Sequence, residues 1–188
     1  TASVRIVDGG TTGNVTLAGT GVNDISSLGQ TATSGPAIVD IEAGRSLRLG
    51  ETGSINIPTG AGDLTIQGAG SLTAGGPDEY DGEIAIDVDE DLTISTVISN
   101  SGENYVTVTK MGDGALKLTN ETDYSGGTNL IAGQLLLSNA KSLGAGMFTL
   151  DGGSLDNVSG APLTLTNTIP QTWNHNVTFL GTNDLTFS

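Results

Sequence analysis

The chain has no cysteine among its 188 residues, which excludes disulfide staples and thiolate metal sites. Basic side chains are scarce: 6 Lys and Arg stand against 21 Asp and Glu, a net charge of −15. A chain of that sign is repelled by phosphate backbones and by anionic lipid surfaces, which argues against nucleic-acid or membrane-surface binding. No apolar run approaches the roughly 20 residues of a membrane helix. No direct membrane insertion is therefore expected of this stretch. No basic-then-apolar leader opens it either, so any signal peptide is expected to have been removed. Aromatics make up 4% and charged residues 14%, too few charges for long solvated helices.

What remains is rich in Gly, with 29 residues but no Gly-X-Y period, so collagen is excluded. Leu, Ile and Val are set among Thr, Ser, Asn and Gly, residues that suit strands and tight turns. The local signal is short alternation. Leu47-Arg48-Leu49, Ile55-Asn56-Ile57, Leu64-Thr65-Ile66, Ile84-Ala85-Ile86, Leu92-Thr93-Ile94, Val106-Thr107-Val108 and Leu116-Lys117-Leu118 all read apolar-polar-apolar. Each is the period-two signature of a strand with one buried face.

Strands this short are below the usual length of about 5 or 6 residues in a sandwich. They suit a solenoid, where every coil pairs with its neighbours. Leu116, Leu135 and Leu155 recur at about 20 residues, a short β-helical period. The expectation is an all-β parallel β-helix of roughly nine coils, a rod about 40 Å long at about 4.8 Å per coil. Leu116, Leu118, Leu135, Leu137 and Leu155 should point inward and Lys117 outward. Residues 21–36 break the alternation and read as a projecting loop, with smaller loops at 75–83 and 99–104. No linker divides residues 1–188 into two domains.

The second half carries an ordered series of phrases: Thr109-Lys110-Met111-Gly112-Asp113-Gly114-Ala115-Leu116-Lys117-Leu118, then Tyr124-Ser125-Gly126-Gly127-Thr128, then Ala132-Gly133-Gln134-Leu135-Leu136-Leu137, then Leu143-Gly144, then Gly152-Gly153-Ser154-Leu155. The series resembles the autotransporter-associated β-strand repeat, with Met111 and Leu136 as departures from it. The resemblance covers residues 106–188 well and the first hundred only generically. It implies a right-handed parallel β-helix in a secreted or cell-surface bacterial protein, a passenger-domain stalk with no reaction of its own. Residues 181–188 read as the start of a further coil, so the chain is expected to be a piece of a longer array that associates end to end.

The candidate chemistry is acidic. Asp78, Glu79, Asp81, Glu83, Asp87, Asp89, Glu90 and Asp91 crowd one short stretch with no base among them. With Ile84, Ile86 and Val88 inward, Asp87 and Asp89 share the outer face. Two readings stand: a solvated acidic face, or a calcium site held by carboxylate oxygens. Arg5, Arg45, Arg48, Lys110, Lys117 and Lys141 are scattered, which disfavours a polysaccharide lyase. His175 is the single histidine, and no Gly-x-Ser-x-Gly elbow accompanies it. Outward Thr pairs such as Thr107 and Thr109 raise ice binding, against the plainer reading of Thr as a strand residue. Tyr80, Tyr105 and Tyr124 are candidate sugar-stacking rings, and Trp173 a coil-end plug. The expected function is a non-catalytic structural or adhesion stalk. Its expected partners are a host-cell, matrix or glycan surface, and the alternative is a glycan-binding surface module.

Overall fold

The computed structural model describes residues 2–6, 13–76, 80–166 and 169–188. Among these there are twenty strands and no helix. Every strand pair is parallel, so the chain returns to the same side after each circuit instead of folding back as a hairpin. One sheet stacks Gly13–Leu17, Ala37–Ile41, Leu64–Gln67, Leu92–Ile94, Ala115–Leu118, Gln134–Leu137, Ser154–Asn157 and Thr178–Phe179 in chain order. A second sheet stacks the strands that lie between them, including Gly82–Val88, Val106–Met111, Gly127–Leu130 and Phe148–Leu150. A third side is built from the first half of Arg45–Ile57 with Ser71–Ala74 and Val97–Ile98, and later from Leu163–Leu165 paired with Leu185–Phe187. The architecture is a parallel β-solenoid of about seven turns.

Seven turns replace the nine expected because the period of about 20 residues is local. Leu116 pairs with Leu135, 19 positions on, and Leu135 with Leu155, 20 positions on. Upstream, Leu64 pairs with Leu92, 28 positions on, and Leu92 with Leu116, 24 positions on. The difference follows the third side. Turns that carry a strand there are long, and the two short turns replace it with a compact connection.

The core is a set of register columns. In the first sheet Leu64, Leu92, Leu116, Leu135 and Leu155 are aligned from turn to turn, as are Ile66, Ile94, Leu118 and Leu137. All nine are buried, and Lys117 lies outward and half-exposed. Stacking like on like in this way lets each turn bury apolar area that it could not bury alone.

Residues 21–36 do not form one projecting loop. Gly21–Gln30 is a ten-residue strand that pairs with Arg45–Ile57, and only the tight turn at 31–36 is irregular. Alternation fails there because the register shifts between Ile25 and Ser27. The inward residues are therefore Ile25 and Leu28, three positions apart rather than two. The expected loop at 75–83 shrinks, since Gly82–Val88 is strand, and 77–79 lie outside the described residues. Residues 99–104 do make a turn, closed by an antiparallel bridge from Ser101 to Asn104.

The phrases of the second half describe one coil in physical terms. Tyr124 is fully buried, and its hydroxyl meets the Thr128 hydroxyl at 2.7 Å. Thr128 in turn donates to the Leu143 carbonyl at 3.1 Å. Gly144 sits against the Tyr124 ring. A methyl group there would lie 2.8 Å from two ring carbons and 2.4 Å from the Tyr124 carbonyl oxygen. The Tyr, Thr and Leu-Gly phrases are thus one packed corner.

Candidate functional site

The acidic stretch is the first place to look for chemistry. Along Gly82–Val88 the inward positions are Ile84, Ile86 and Val88, all fully buried, and Asp87 is exposed. Asp89 lies just past the strand, in the turn. It accepts the Thr59 hydroxyl at 3.0 Å and the Asp113 N–H at 3.5 Å. Glu90 is held by the Gly60 N–H at 2.7 Å, and Asp91 accepts from the Ala115 N–H at 3.3 Å. Several of these carboxylates therefore cap backbone of neighbouring turns. Asp78 and Glu79 lie outside the described residues. Among the described residues no three His, Cys, Asp or Glu side chains converge on a metal-sized point. Asp87 and Asp89 would supply two carboxylates towards the six to eight oxygens that calcium takes.

The charge these acids face is Lys110. Its register partners are Ile86 on one side and Leu130 on the other, both fully buried. A lysine thus occupies an inward, aliphatic position of the second sheet. Its stem packs like its neighbours while the ammonium reaches the corner. There it donates to the carbonyls of Met111 at 2.5 Å, Gly112 at 2.9 Å and Ala132 at 3.5 Å, tying one turn to the next. Burial lowers its pKa from 10.5 to about 8, against the opposing pull of Asp87, Asp113 and Asp89. In the sequence Lys110 reads as one of the scattered bases. The available signal was parity, since Val106, Val108 and Lys110 share one face of a strand.

This position carries a pH prediction. Below about pH 8 both folded and unfolded chains hold the Lys110 proton. Between about 8 and 10.5 the unfolded chain holds it and the folded chain does not. Stability should therefore rise with pH across that window and level off above it. The gain is at most about 3 kcal/mol. Urea denaturation from pH 7 to 10.5 should show this rise in the parent relative to Lys110→Met. Parallel pH curves for the two proteins would contradict it.

The remaining candidates separate cleanly. Tyr124 is buried and unavailable to a sugar, while Tyr80 and Tyr105 are 60% and 56% exposed. Thr109 is buried, donating to Glu83 at 2.6 Å and accepting from Asn129 at 3.2 Å, so Thr107 and Thr109 do not form a flat wet pair. His175 is 72% exposed at its side chain, with Nδ1 3.7 Å from Asp151. Trp173 occupies an inward register position over Leu150 yet is 55% exposed, edge-on to Phe187 at a ring distance of 6.2 Å. With Phe179 over Leu155 and Phe187 over Leu165, it makes an aromatic layer across the last turn.

Asp156 and Asn157 were not picked out by sequence reading, and both are buried. Asp156 accepts the Thr182 N–H at 2.9 Å and also the Thr182 hydroxyl. Asn157 donates to the carbonyls of Ala161 at 2.7 Å and Asp184 at 2.6 Å. They fasten the last turn as Lys110 fastens its own. An Asp-Asn pair inside a strand of β-propensity-poor residues was the signal.

Compared with known proteins, the chain matches no family model, no curated relative and no solved structure. The fold itself is a parallel β-solenoid. The resemblance to autotransporter repeats rests on the ordered phrases alone.

Proposed function

We propose that this chain is a non-catalytic stalk segment of a secreted or cell-surface bacterial protein, of the autotransporter-passenger kind, with an adhesive role along its side. One observation carries the reading: five buried polar side chains, a lysine, a tyrosine and an aspartate among them, are committed to the coil. Lys110, Tyr124, Thr128, Asp156 and Asn157 each bond a backbone group or a side chain of the same or the next turn. The inward columns of aliphatic residues supply the rigidity a spacer needs, and the ordered phrases of residues 106–155 supply the family reading. The test has two arms. Placed between a bacterial surface anchor and an antibody epitope, the chain should keep the epitope displayed, and removal of one whole turn should leave it displayed. Incubation with a range of polysaccharides should release no reducing ends and no unsaturated products. Loss of export, or product formation abolished by a single substitution, would overturn the reading.

The aromatic layer of the last turn adds an expectation about partners. Trp173, Phe179 and Leu180 are exposed, and Leu155, Trp173, Val177, Phe179, Leu185 and Phe187 line an apolar hollow of about 170 Å³. The 188-residue polypeptide should associate end to end through it, opposed by its net charge of −15. Salt should strengthen the association by screening. Sedimentation at 50 and 500 mM salt should show mass rising with protein concentration, more steeply at high salt. A monomer under all conditions would contradict this.

A further inference from the structure

The third side of the solenoid is interrupted at one place. Ser71–Ala74 and Val97–Ile98 form a regular parallel ladder there, but the next turn contributes only a single bridge, Ser99 to Asp123. In the turn after that, residues 139–143 make a tight turn instead of a strand. The missing strand leaves an open cleft of about 510 Å³ that spans three successive turns.

The walls of this cleft are braced and its charged ends are not. Asn100 accepts the N–H groups of Val106 at 3.1 Å and Ser125 at 3.0 Å, and its amide donates to the Ser125 hydroxyl at 2.7 Å. Thr122 donates to the Lys141 carbonyl at 2.7 Å and accepts the Gly144 N–H at 3.0 Å. Tyr124 lies behind the cleft, fully buried, and braces it from within without facing a ligand. On this frame stand Glu121, Asp123 and Lys141. Glu121 and Lys141 pair at 3.1 Å, but both are about half exposed, so the pair opens at little cost. Asp123 is exposed, and among the described residues no side chain holds its carboxylate. A preorganised frame with acceptors and a donor at its mouth fits a ligand that offers many hydroxyls. The surplus of negative charge, in the cleft and over the chain, rejects acidic ligands.

We propose that this cleft is a binding site for a short uncharged oligosaccharide lying along the solenoid axis, with Asp123 accepting sugar hydroxyls and the Glu121–Lys141 pair parting to grip the next residue. The proposal rests on the adhesive half of the stalk reading and names its ligand class. Its test is ¹H–¹⁵N spectroscopy of the full chain with mannotetraose, cellotetraose and chitotetraose, and with tetragalacturonate as the acidic control. At least one neutral tetrasaccharide should shift the amides of 97–100, 121–125 and 141–145 saturably, and tetragalacturonate should not. Asp123→Ala should weaken that binding at least about tenfold. Asp123→Asn, which keeps the side-chain shape, should weaken it by less, and both variants should melt as the parent does. Shifts mapping elsewhere on the rod would overturn the cleft and leave the adhesive reading standing. No shift with any neutral tetrasaccharide at millimolar concentration would overturn both and leave a plain spacer. Undiminished binding by Asp123→Ala, or equal binding of the uronate, would overturn the proposed contacts.

Discussion

Leu116→Asp should abolish the folded state. Leu116 is fully buried and lies in register between Leu92 and Leu135, both fully buried as well. An aspartate there has neither a donor nor a cation within the column, so a bare charge would enter an aliphatic interior. The loss should exceed about 4 kcal/mol, a large part of the whole stability of most domains. The damage should also spread, because each turn is held chiefly by its two neighbours. Leu116→Ala keeps the site apolar and should cost about 2–5 kcal/mol. Lys117→Asp, one residue along but outward, should stay within about 0.5 kcal/mol of the parent. Urea denaturation followed by far-UV circular dichroism ranks the three. Equal loss at Leu116 and Lys117 would mean that the strand does not have one buried face.

Gly133→Ala should be nearly as damaging, for a different reason. Gly133 has a φ of +70°, which any L side chain resists. The larger problem is the stack. A methyl group at Gly133 would lie 2.3 Å from the Gly112 carbonyl oxygen, 2.5 Å from that of Gly114 and 2.6 Å from the Lys110 ammonium. Two of these are backbone of the turn below, so the only relief is to pry two turns apart at the corner that Lys110 ties together. Gly102 separates the two costs. Its φ is +66°, yet nothing lies within 4 Å of an added methyl group. Gly102→Ala should therefore show the conformational cost alone, about 1 kcal/mol. Gly133→Ala should lose several kcal/mol in total. Similar melting temperatures for the two variants would mean that neighbouring turns do not touch at Gly133.

Much of the fold was legible because strands with one buried face announce themselves by parity. The triplets around Leu64, Leu92 and Leu116 each put two apolar side chains inward, and the columns follow once the strands are parallel. What escaped were departures from parity and from a single period. The bulge after Ile25 hid a ten-residue strand, since a one-residue shift moves later side chains to the other face. The turn number comes out too high from the sequence because the period of about 20 residues belongs to two short turns alone. The candidate sites were less legible than the fold. Asp87 could be placed outward from its neighbours Ile86 and Val88, but the partners of Asp89, Thr59 and Asp113, come from turns 30 residues before and 24 after. Lys110 misled because a basic residue is read as surface, while its four-carbon stem allows burial with the charge delivered elsewhere. The cleft at Asp123 is a missing strand, and no residue in the sequence marks an absence of that kind.

The most direct test of the stacked architecture is a ladder of distances along one face. Asn14, Ile38, Thr65, Thr93, Lys117 and Leu136 are successive register partners in the first sheet. The chain has no cysteine, so spin labels can be placed at chosen pairs without background. From Asn14, four steps reach Lys117 and five reach Leu136. Backbone separations should then be about 19 Å and about 24 Å, growing by about 4.8 Å per turn. Double electron–electron resonance on the Asn14→Cys, Lys117→Cys and Asn14→Cys, Leu136→Cys pairs should give narrow distributions offset by that one step. Distances that fail to grow with turn number, or broad distributions that overlap, would contradict a parallel solenoid.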